Sequence, residues 1–579
     1  MKTIEKTRKG TLKSFDPQIY NEAIKALKDE DVRIINFEVT RIIAKVIRTM
    51  YGPKGLNKMI VPVSNEAEIT QKGYKVVKSF KNRFPISLML IELVTTQEDN
   101  CGDGTKTTLL FTALLLEKAK EMMSLGVSPQ TINKGFSLAL EKSLEILEDN
   151  VIPYISQDNE VLMSIIASVM HGKFSSQIKE HYMNLVLTTL EKNENLFLET
   201  SEFDFTDILY RKEQGRSTYD SELVNGMIIY KDKPNLSLPN KIINSKILLV
   251  QKSLDFFVPG NQEPYSRQVE IKSVEKYQSF SRFHNDYYQN LAKFFKQKGI
   301  NVILSQKKIN SLLIDYCASI NIIALELVGE KEMKKLSKLL DVPVISSIND
   351  FSEDQLGFAN LVEFRKVSGD EMFFIHLENS KILTFLLRGG ISYAADQLEE
   401  NLQGSLRVAT QTLKDKKLLP GGGALDCELS RILKIYAGEF PNKYQMVISE
   451  YAKALESLPG YLILNSAGDP LEIIPKLRET HLNGKKLEGF NCNTKKIVDV
   501  LKEGIFDGYM VKKHALKIAT EMARQIVRVD ALVMVYDRKL YEKIEKEGKE
   551  VKSQKHQEKV RKYLNKKDED LFSDLYNSK

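Results

Sequence analysis

Gly102-Asp103-Gly104-Thr105-Lys106-Thr107-Thr108 leads into an apolar run, Leu109 to Leu116, broken only by Thr112 and Ala113. Two glycines let a backbone approach a ligand closely, and a helix starting here offers unpaired N–H groups and its positive dipole end to an anion. Asp103 cannot help a phosphate directly, but its carboxylate can hold Mg²⁺, which bridges phosphate oxygens. The spacing is not that of a Walker A loop, because Thr105 stands where the second glycine would be. Alone, the stretch reads as a capping turn. Two further glycine turns change the odds. Gly52-Pro53-Lys54-Gly55 ends a helix with apolar residues at Ile34, Ile35, Phe37, Val39, Ile42, Ile43, Val46 and Ile47, and Gly421-Gly422-Gly423-Ala424 opens another.

The chain around these turns has 579 residues, enough for about three or four domains. Lys and Arg exceed Asp and Glu by 84 to 77, a net +7 that is too mild to argue for nucleic acid. With 42% hydrophobic residues, 30 Gly and 16 Pro, collagenous and disordered classes are excluded. Cys101, Cys317, Cys427 and Cys492 are far apart and form no C-x-x-C pair, so a reducing compartment is expected. No run approaches the roughly 18 apolar residues of a membrane span. The basic segment Met1–Phe15 lacks an apolar stretch behind it, which argues against a secretory signal. A cytoplasmic protein without membrane or nucleic-acid partners is the expectation.

The organisation is helical, then mixed, then helical. Helices are expected at Pro85–Glu98, Gly104–Ser124 and Pro129–Asp149, with two more across 159–192 and strand-like pieces at Ile60–Val63 and Glu68–Thr70. From about residue 195, short β-branched and aromatic runs alternate with turns, among them Met227–Tyr230, Lys246–Val250, Asn301–Ser305, Ile320–Leu327 and Val342–Ile345. Val362–Val367, Met372–Leu377 and Lys381–Leu387 continue the pattern, which predicts an α/β module with some parallel strands. After Gly421–Gly423 the chain reads as helical to about Tyr536, and Asp537–Lys579 as a solvated, charged tail. The seven histidines show no metal-ligand spacing.

The turns and their flanks resemble a family. Arg48-Thr49-Met50-Tyr51-Gly52-Pro53-Lys54-Gly55-Leu56-Asn57-Lys58-Met59-Ile60 looks like the first signature of the group II chaperonins, the cytosolic TRiC/CCT subunits and their archaeal relatives. Gln97 to Thr105 is similar to their phosphate-loop signature, and Asp220–Gly226 and Leu419–Ala424 match two further landmarks. Among TRiC/CCT subunits the likeness is greatest to the theta type, through Tyr51, Leu56–Met59, Glu503–Lys512 and Arg528-Val529-Asp530. Glu428–Ser430 and Tyr451–Glu456 make the eta type the runner-up.

The resemblance implies a multidomain α plus α/β fold: a helical equatorial domain (1–155 and 412–536), an intermediate hinge domain (156–226 and 378–411) and an α/β apical domain with a lid protrusion (227–377), followed by the tail 537–579. It implies ATP or ADP bound by Tyr51, Gly52, Pro53, Gly102, Gly104, Thr105, Lys106, Thr107, Gly421, Gly422 and Asp507, with Mg²⁺ on Asp103. Met170 and His171 fall where the family touches nucleotide less consistently. The implied partners are related subunits in a double octameric ring and unfolded client proteins, which Lys331–Leu340 would face unless that helix simply packs.

Two departures bear on chemistry. Lys72, in Ile69-Thr70-Gln71-Lys72-Gly73, stands where the family has an aspartate, and Gly404 stands where a second aspartate orients the attacking water, with Glu400 in place of a usual arginine. Hydrolysis needs a carboxylate to position water, so no catalytic residue is assigned and weak or absent turnover is expected. Glu399, Glu400 and Asp99 are the nearby carboxylates that could substitute. Lys72 and Lys106 are expected to add positive charge near the phosphates. A structural ring subunit without turnover is the alternative, and a free-standing ATPase is disfavoured.

Overall fold

The computed structural model describes residues 24–28, 30–61, 67–80, 85–154, 159–170, 176–194, 197, 205–255, 274–346, 348, 352–390 and 392–535. The tail, the Met1–Phe15 segment and His171 lie outside these residues.

In chain order, β1 (Ile24–Lys28) and α1 (Glu30–Arg48) precede a hairpin of β2 (Lys58–Ile60) and β3 (Glu68–Thr70). Four helices follow: α2 (Gly73–Ser79), α3 (Pro85–Cys101), α4 (Thr105–Ser124) and α5 (Pro129–Asp149). Ser128 caps α5, its Oγ accepting from the Thr131 N–H, with Pro129 in the first turn. Then come β4 (Ile152–Pro153), α6 (Asn159–Val169) and α7 (Ser176–Lys192).

The mixed region holds β5 (Ile208–Gln214), β6 (Glu222–Ile229), β7 (Lys241–Val250), α8 (Val274–Gln297), β8 (Val302–Ser305), α9 (Ser311–Ser319) and β9 (Ile323–Leu325). It continues with α10 (Glu330–Leu340), β10 (Gly357–Val367), β11 (Asp370–His376) and β12 (Leu383–Gly389). These strands form one sheet in the order β5-β12-β6-β11-β10-β7-β8-β9, parallel at β5/β12 and along β7-β8-β9, antiparallel elsewhere. Alternation along β7 shows why the run is apolar throughout. Ile247 and Leu249 join a core with Met333, Leu336 and Leu339 of α10, while Leu248 and Val250 join Tyr288, Phe295 and Leu313 of α8 and α9. A sheet covered on both faces buries both sets of side chains.

The last part runs α11 (Ser392–Asp415), β13 (Lys417–Pro420), α12 (Ala424–Ala437), α13 (Lys443–Asn465) and α14 (Pro470–Leu482). It ends with β14 (Glu488–Asn491), β15 (Lys496–Asp499), β16 (Phe506–Gly508), α15 (Tyr509–Val527) and β17 (Ala531–Val535). The expectation of a helical stretch from Gly423 to about Tyr536 holds for its four helices but missed the short strands between and after them. Strands of three to five residues carry too little periodicity to be read, and they exist because pairing partners elsewhere hold them, as β13 holds β16.

Three smaller expectations also shift. The first hairpin strand is Lys58–Ile60, with Pro62 and Val63 of the expected Ile60–Val63 outside the described residues, and Val342–Ile345 makes only a bridge, Val250 to Ile345. The apolar residues of α1 do not all turn inward: Val39, Ile43 and Ile47 are buried, whereas Ile34, Ile35 and Ile42 are exposed. On α10 the apolar side is in the core, and its exposed side chains are Glu330, Lys331 and Lys334.

Residues 39–524 form one compact unit. The described ends of the chain belong to another, in which β1 pairs antiparallel with β17 from Ile24↔Val535 to Lys28↔Ala531. Within it, Arg33 Nε donates to the Val529 carbonyl at 3.0 Å.

Candidate functional site

The three glycine turns meet around one cavity of about 360 Å³, a size that suits a small organic ligand. Tyr51, Gly52 and Pro53 line it from the end of α1, and Asn465 Nδ2 fixes that turn by donating to the carbonyls of Arg48 and Tyr51, both at 2.8 Å. Asp103, Gly104, Lys106 and Thr107 line it from the start of α4, and Gly422, Gly423 and Asp426 from the start of α12. Pairing of Leu419 with Asp507 sets Asp507 beside the last turn, where it too lines the cavity. Gly102, Thr105 and Gly421, expected with them, do not line it.

Two glycines are required by geometry. Gly104 caps α4 at φ +85°, and a Cβ there would lie 2.7 Å from Gln97 Nε2 and 2.8 Å from Val511 Cγ1. Gly422 has φ +61°, and a Cβ would lie 2.8 Å from the Phe490 carbonyl oxygen. Gln97 braces the first turn from behind, its Nε2 donating to the Asp103 carbonyl at 2.8 Å and to Val511 at 3.2 Å. Neither α4 nor α12 has a side-chain cap at its N-terminus. With no side chain capping them, these helix starts can turn N–H groups to an anion, although that of Ala424 already donates to the Gly421 carbonyl at 3.1 Å.

The charges divide into settled and unsettled groups. Lys512 Nζ sits 2.6 Å and 2.8 Å from the two oxygens of Asp426, both residues buried. Burial opposes the Lys512 charge, but Asp426 above all outweighs it and the pKa rises. Burial likewise raises the Tyr51 hydroxyl. Asp507 is pushed up to about 6, first by burial and then by the carboxylates of Asp426 and Asp103, against the pull of Lys512. Among the described residues, neither Asp103 nor Asp507 has a side-chain hydrogen bond or ion pair within 4 Å. Two such carboxylates on a cavity wall fit a divalent cation, while uncapped helix starts and lysines fit the phosphates that would accompany it. Among the described residues no three His, Cys, Asp or Glu gather as a metal site, so the ligand's own oxygens would complete the coordination.

Behind the α4 turn, Lys72 and Gly404 stand together. Lys72 Nζ is 2.7 Å from Glu98 Oε1 and 3.4 Å from the Gly102 carbonyl oxygen. Burial opposes its charge, yet Glu98 outweighs the cost and raises the pKa. A Cβ at Gly404 would lie 3.3 Å from Lys72 Nζ and 3.1 Å from Gly102 O. Lys72 does not line the cavity, and Glu98 compensates it, so it does not supply the open positive charge expected of it. Lys106 does line the cavity, with Nζ donating to the Met50 carbonyl at 3.2 Å, and burial lowers its pKa.

None of the three candidate substitutes lines the cavity. Glu400 is 2.6 Å from Lys75 Nζ and 3.3 Å from Thr70 Oγ1, with its pKa raised by burial. Glu399 is 3.0 Å from Lys212, and Asp99 is exposed. Arg407 Nη1 ties α11 to this corner by donating to the carbonyls of Glu98 (2.9 Å) and Asp99 (2.6 Å).

Sequence reasoning missed the Asp426–Lys512 pair, Lys179 and the stretch Phe490–Asn493. A carboxylate two residues after Ala424 and a lysine after Tyr509-Met510-Val511 were signals for the first. The last had none, since β14 is held to the glycine turn by one long-range bond, Phe490 N–H to the Gly422 carbonyl at 2.9 Å. Met170 is buried and lines a separate small void with Lys179.

The sequence profile of the TCP-1/cpn60 chaperonin family matches residues 43–536. The chain belongs to that family. This chaperonin chain is 30% identical over 528 residues to the thermosome subunit beta of Aeropyrum pernix, covering 91% of the chain and 93% of that relative. It is 31% identical over 509 residues to a thermosome subunit of Pyrococcus horikoshii, covering 87% and 91%. A third relative, the thermosome subunit alpha of Archaeoglobus fulgidus, is 29% identical over 525 residues, covering 90% and 96%. With its helical ends and curled mixed sheet, this chaperonin has the multidomain α plus α/β fold of the group II type. No helix of the described residues is long and apolar enough to cross a membrane.

Proposed function

We propose that this chaperonin chain binds Mg·ATP in the cavity between the three glycine turns, turns it over slowly or not at all, and works as one subunit of a cytoplasmic ring that encloses and folds client proteins. The observation that carries the reading is the Lys72–Glu98 pair packed against Gly404, where the family resemblance calls for two carboxylates. Binding and chemistry thereby separate.

The N–H groups opening α4 and α12 would hold phosphate oxygens, and Asp103 with Asp507 would hold Mg²⁺, whose charge would neutralise the phosphates. The buried Asp426–Lys512 pair, which also lines the cavity, is polar without leaving a net charge. At the two positions where the resemblance calls for a carboxylate there is none: Lys72 is cationic and bonded to Glu98, and Gly404 has no side chain. Such a group contributes about 10²–10⁴ in rate.

The domain assignment proposed is equatorial for 1–155 and 412–536, intermediate for 156–226 and 378–411, and apical for 227–377. A theta-type place beside related subunits in a double octameric ring rests on the motifs of the sequence. Exposed Leu56, Met59 and Val61, with Ile34, Ile35 and Ile42 of α1, support burial against other subunits.

The test is steady-state turnover of the unmodified chain against Lys72→Asp with Gly404→Asp. The double variant should gain at least about tenfold, the lower part of what a water-positioning group supplies. No gain, with nucleotide still bound, would remove this explanation of slow hydrolysis.

A further inference from the structure

The helix α11 supplies Val408 to the cavity wall, so what holds α11 in place decides how tightly the cavity is shut. Three of its residues, Glu400, Gly404 and Arg407, stand four and three positions apart and therefore share one face. Each of them meets a different part of the cavity's surround.

Arg407 grips one end. Besides the two carbonyls of α3 that its Nη1 reaches, its stem lies on the α4 turn. A Cβ at Gly102, where φ is +73°, would stand 2.8 Å from Arg407 Cβ and 2.9 Å from its Cδ. Gly404, buried in the middle, lets α11 come close, since a Cβ there would already be 3.1 Å from the Gly102 carbonyl oxygen. Glu400 grips the other end. Its carboxylate takes the Lys75 ammonium of α2 at 2.6 Å and the Thr70 hydroxyl of β3 at 3.3 Å, and Thr70 Oγ1 in turn accepts the Lys72 N–H at 3.0 Å. Lys75 is also paired with Glu68 of β3. The ties differ in how readily they part. Those of Arg407 go to backbone carbonyls in the last turn of a helix. The Glu400 tie joins two side chains, Lys75 27% and Glu400 13% exposed, near enough to water for both ions to be resolvated on opening.

We infer that Lys75 and Glu400 form a clasp that keeps α11 shut against the cavity, so that nucleotide enters and leaves only when this ion pair opens. The inference rests on the nucleotide reading above and deepens it, because it assigns the rate of exchange at that site to two residues outside the cavity. They are positioning residues: neither lines the cavity. A gate of this kind has a kinetic signature. Loosening it speeds entry and exit alike and leaves the equilibrium affinity nearly unchanged, whereas loss of a direct ligand contact speeds exit and weakens binding.

Stopped-flow mixing of the full chain with Mg·ADP carrying a fluorescent methylanthraniloyl group, followed by a chase with excess unlabelled Mg·ADP, tests this. Glu400→Gln and Lys75→Met should each raise both the association and the dissociation rate by about tenfold, between the worth of an exposed pair and that of a buried one. Kd should stay within about twofold of the parent, and the double variant should be no faster than either single one, because the second change finds the pair already broken. The two single variants lie on different helices, so if one fails to fold the other still decides. If release keeps the parent's rate, if it speeds only in proportion to a weaker Kd, or if the two changes multiply, the clasp is overturned while the nucleotide reading stands. If the unmodified chain binds no labelled nucleotide, the nucleotide reading falls and takes this one with it.

Discussion

Lys72 decides what a repair of this site would need. Its ammonium is buried and bonded to Glu98, so a carboxylate placed at residue 404 would meet it at ion-pair distance rather than face a water. Gly404→Asp alone should therefore leave turnover within about twofold of the parent, and only the change at Lys72 as well should raise it. A phosphate-release assay on the two variants checks this, and a full gain from the single variant would show that Lys72 yields. The Asp426–Lys512 pair gives a second outcome at this scale. Asp426→Asn strands a buried ammonium, which should cost about 3–5 kcal/mol in urea unfolding. Asp426→Leu with Lys512→Met should recover most of that loss while weakening nucleotide. Both departures from the family pattern were legible as positions in the sequence. Their partner was not, because Glu98 reaches Lys72 only when α2 and α3 are laid side by side, 26 residues apart along the chain.

At the scale of elements, α12, α13 and α14 share a polar seam that makes the fold sensitive to acid. Glu428 accepts from Arg431 at 2.6 Å and 3.0 Å and lies 3.0 Å from buried His481. Glu456 bridges Lys434 at 3.0 Å and Arg478 at 2.9 Å. Burial alone would raise both carboxyls, but these hydrogen-bonding partners outweigh it and hold Glu428 down at about 2 and Glu456 below its usual range. A depressed folded pKa gives stability that is present above the unfolded value of about 4.3 and lost as pH falls. Thermal unfolding should therefore weaken progressively between about pH 4.3 and about 2, the lower limit being the folded value of Glu428. Glu428→Gln should flatten that loss, and an unchanged acid profile in the variant would count against the seam. Long helices such as α4 and α5 were readable because apolar spacing persists over 20 and 21 residues. The hairpin of β14 and β15, four residues each, was not, and neither was the burial of the apolar side of α10, since a stripe on a helix does not say what covers it.

For the whole molecule, the sequence told the order of parts well: helical ends, a mixed centre, and glycine turns that converge on one cavity. What it could not tell is which apolar residues stay outside, because spacing along an element does not say what covers it. Ile42, Leu56, Met59 and Val61 remain exposed in the single chain. Isolation from its own cells should therefore yield a particle of about one megadalton with related subunits, seen by size-exclusion chromatography with light scattering. A stable monomer at cellular concentration would contradict that. The central claim is that the cavity holds a triphosphate and keeps it. The most direct measurement loads the full chain with radiolabelled Mg·ATP, removes the excess, and identifies the bound nucleotide over time. Intact ATP persisting on the chain long after related carboxylate-bearing subunits have converted theirs is the predicted result; prompt conversion to ADP at their rate would contradict it.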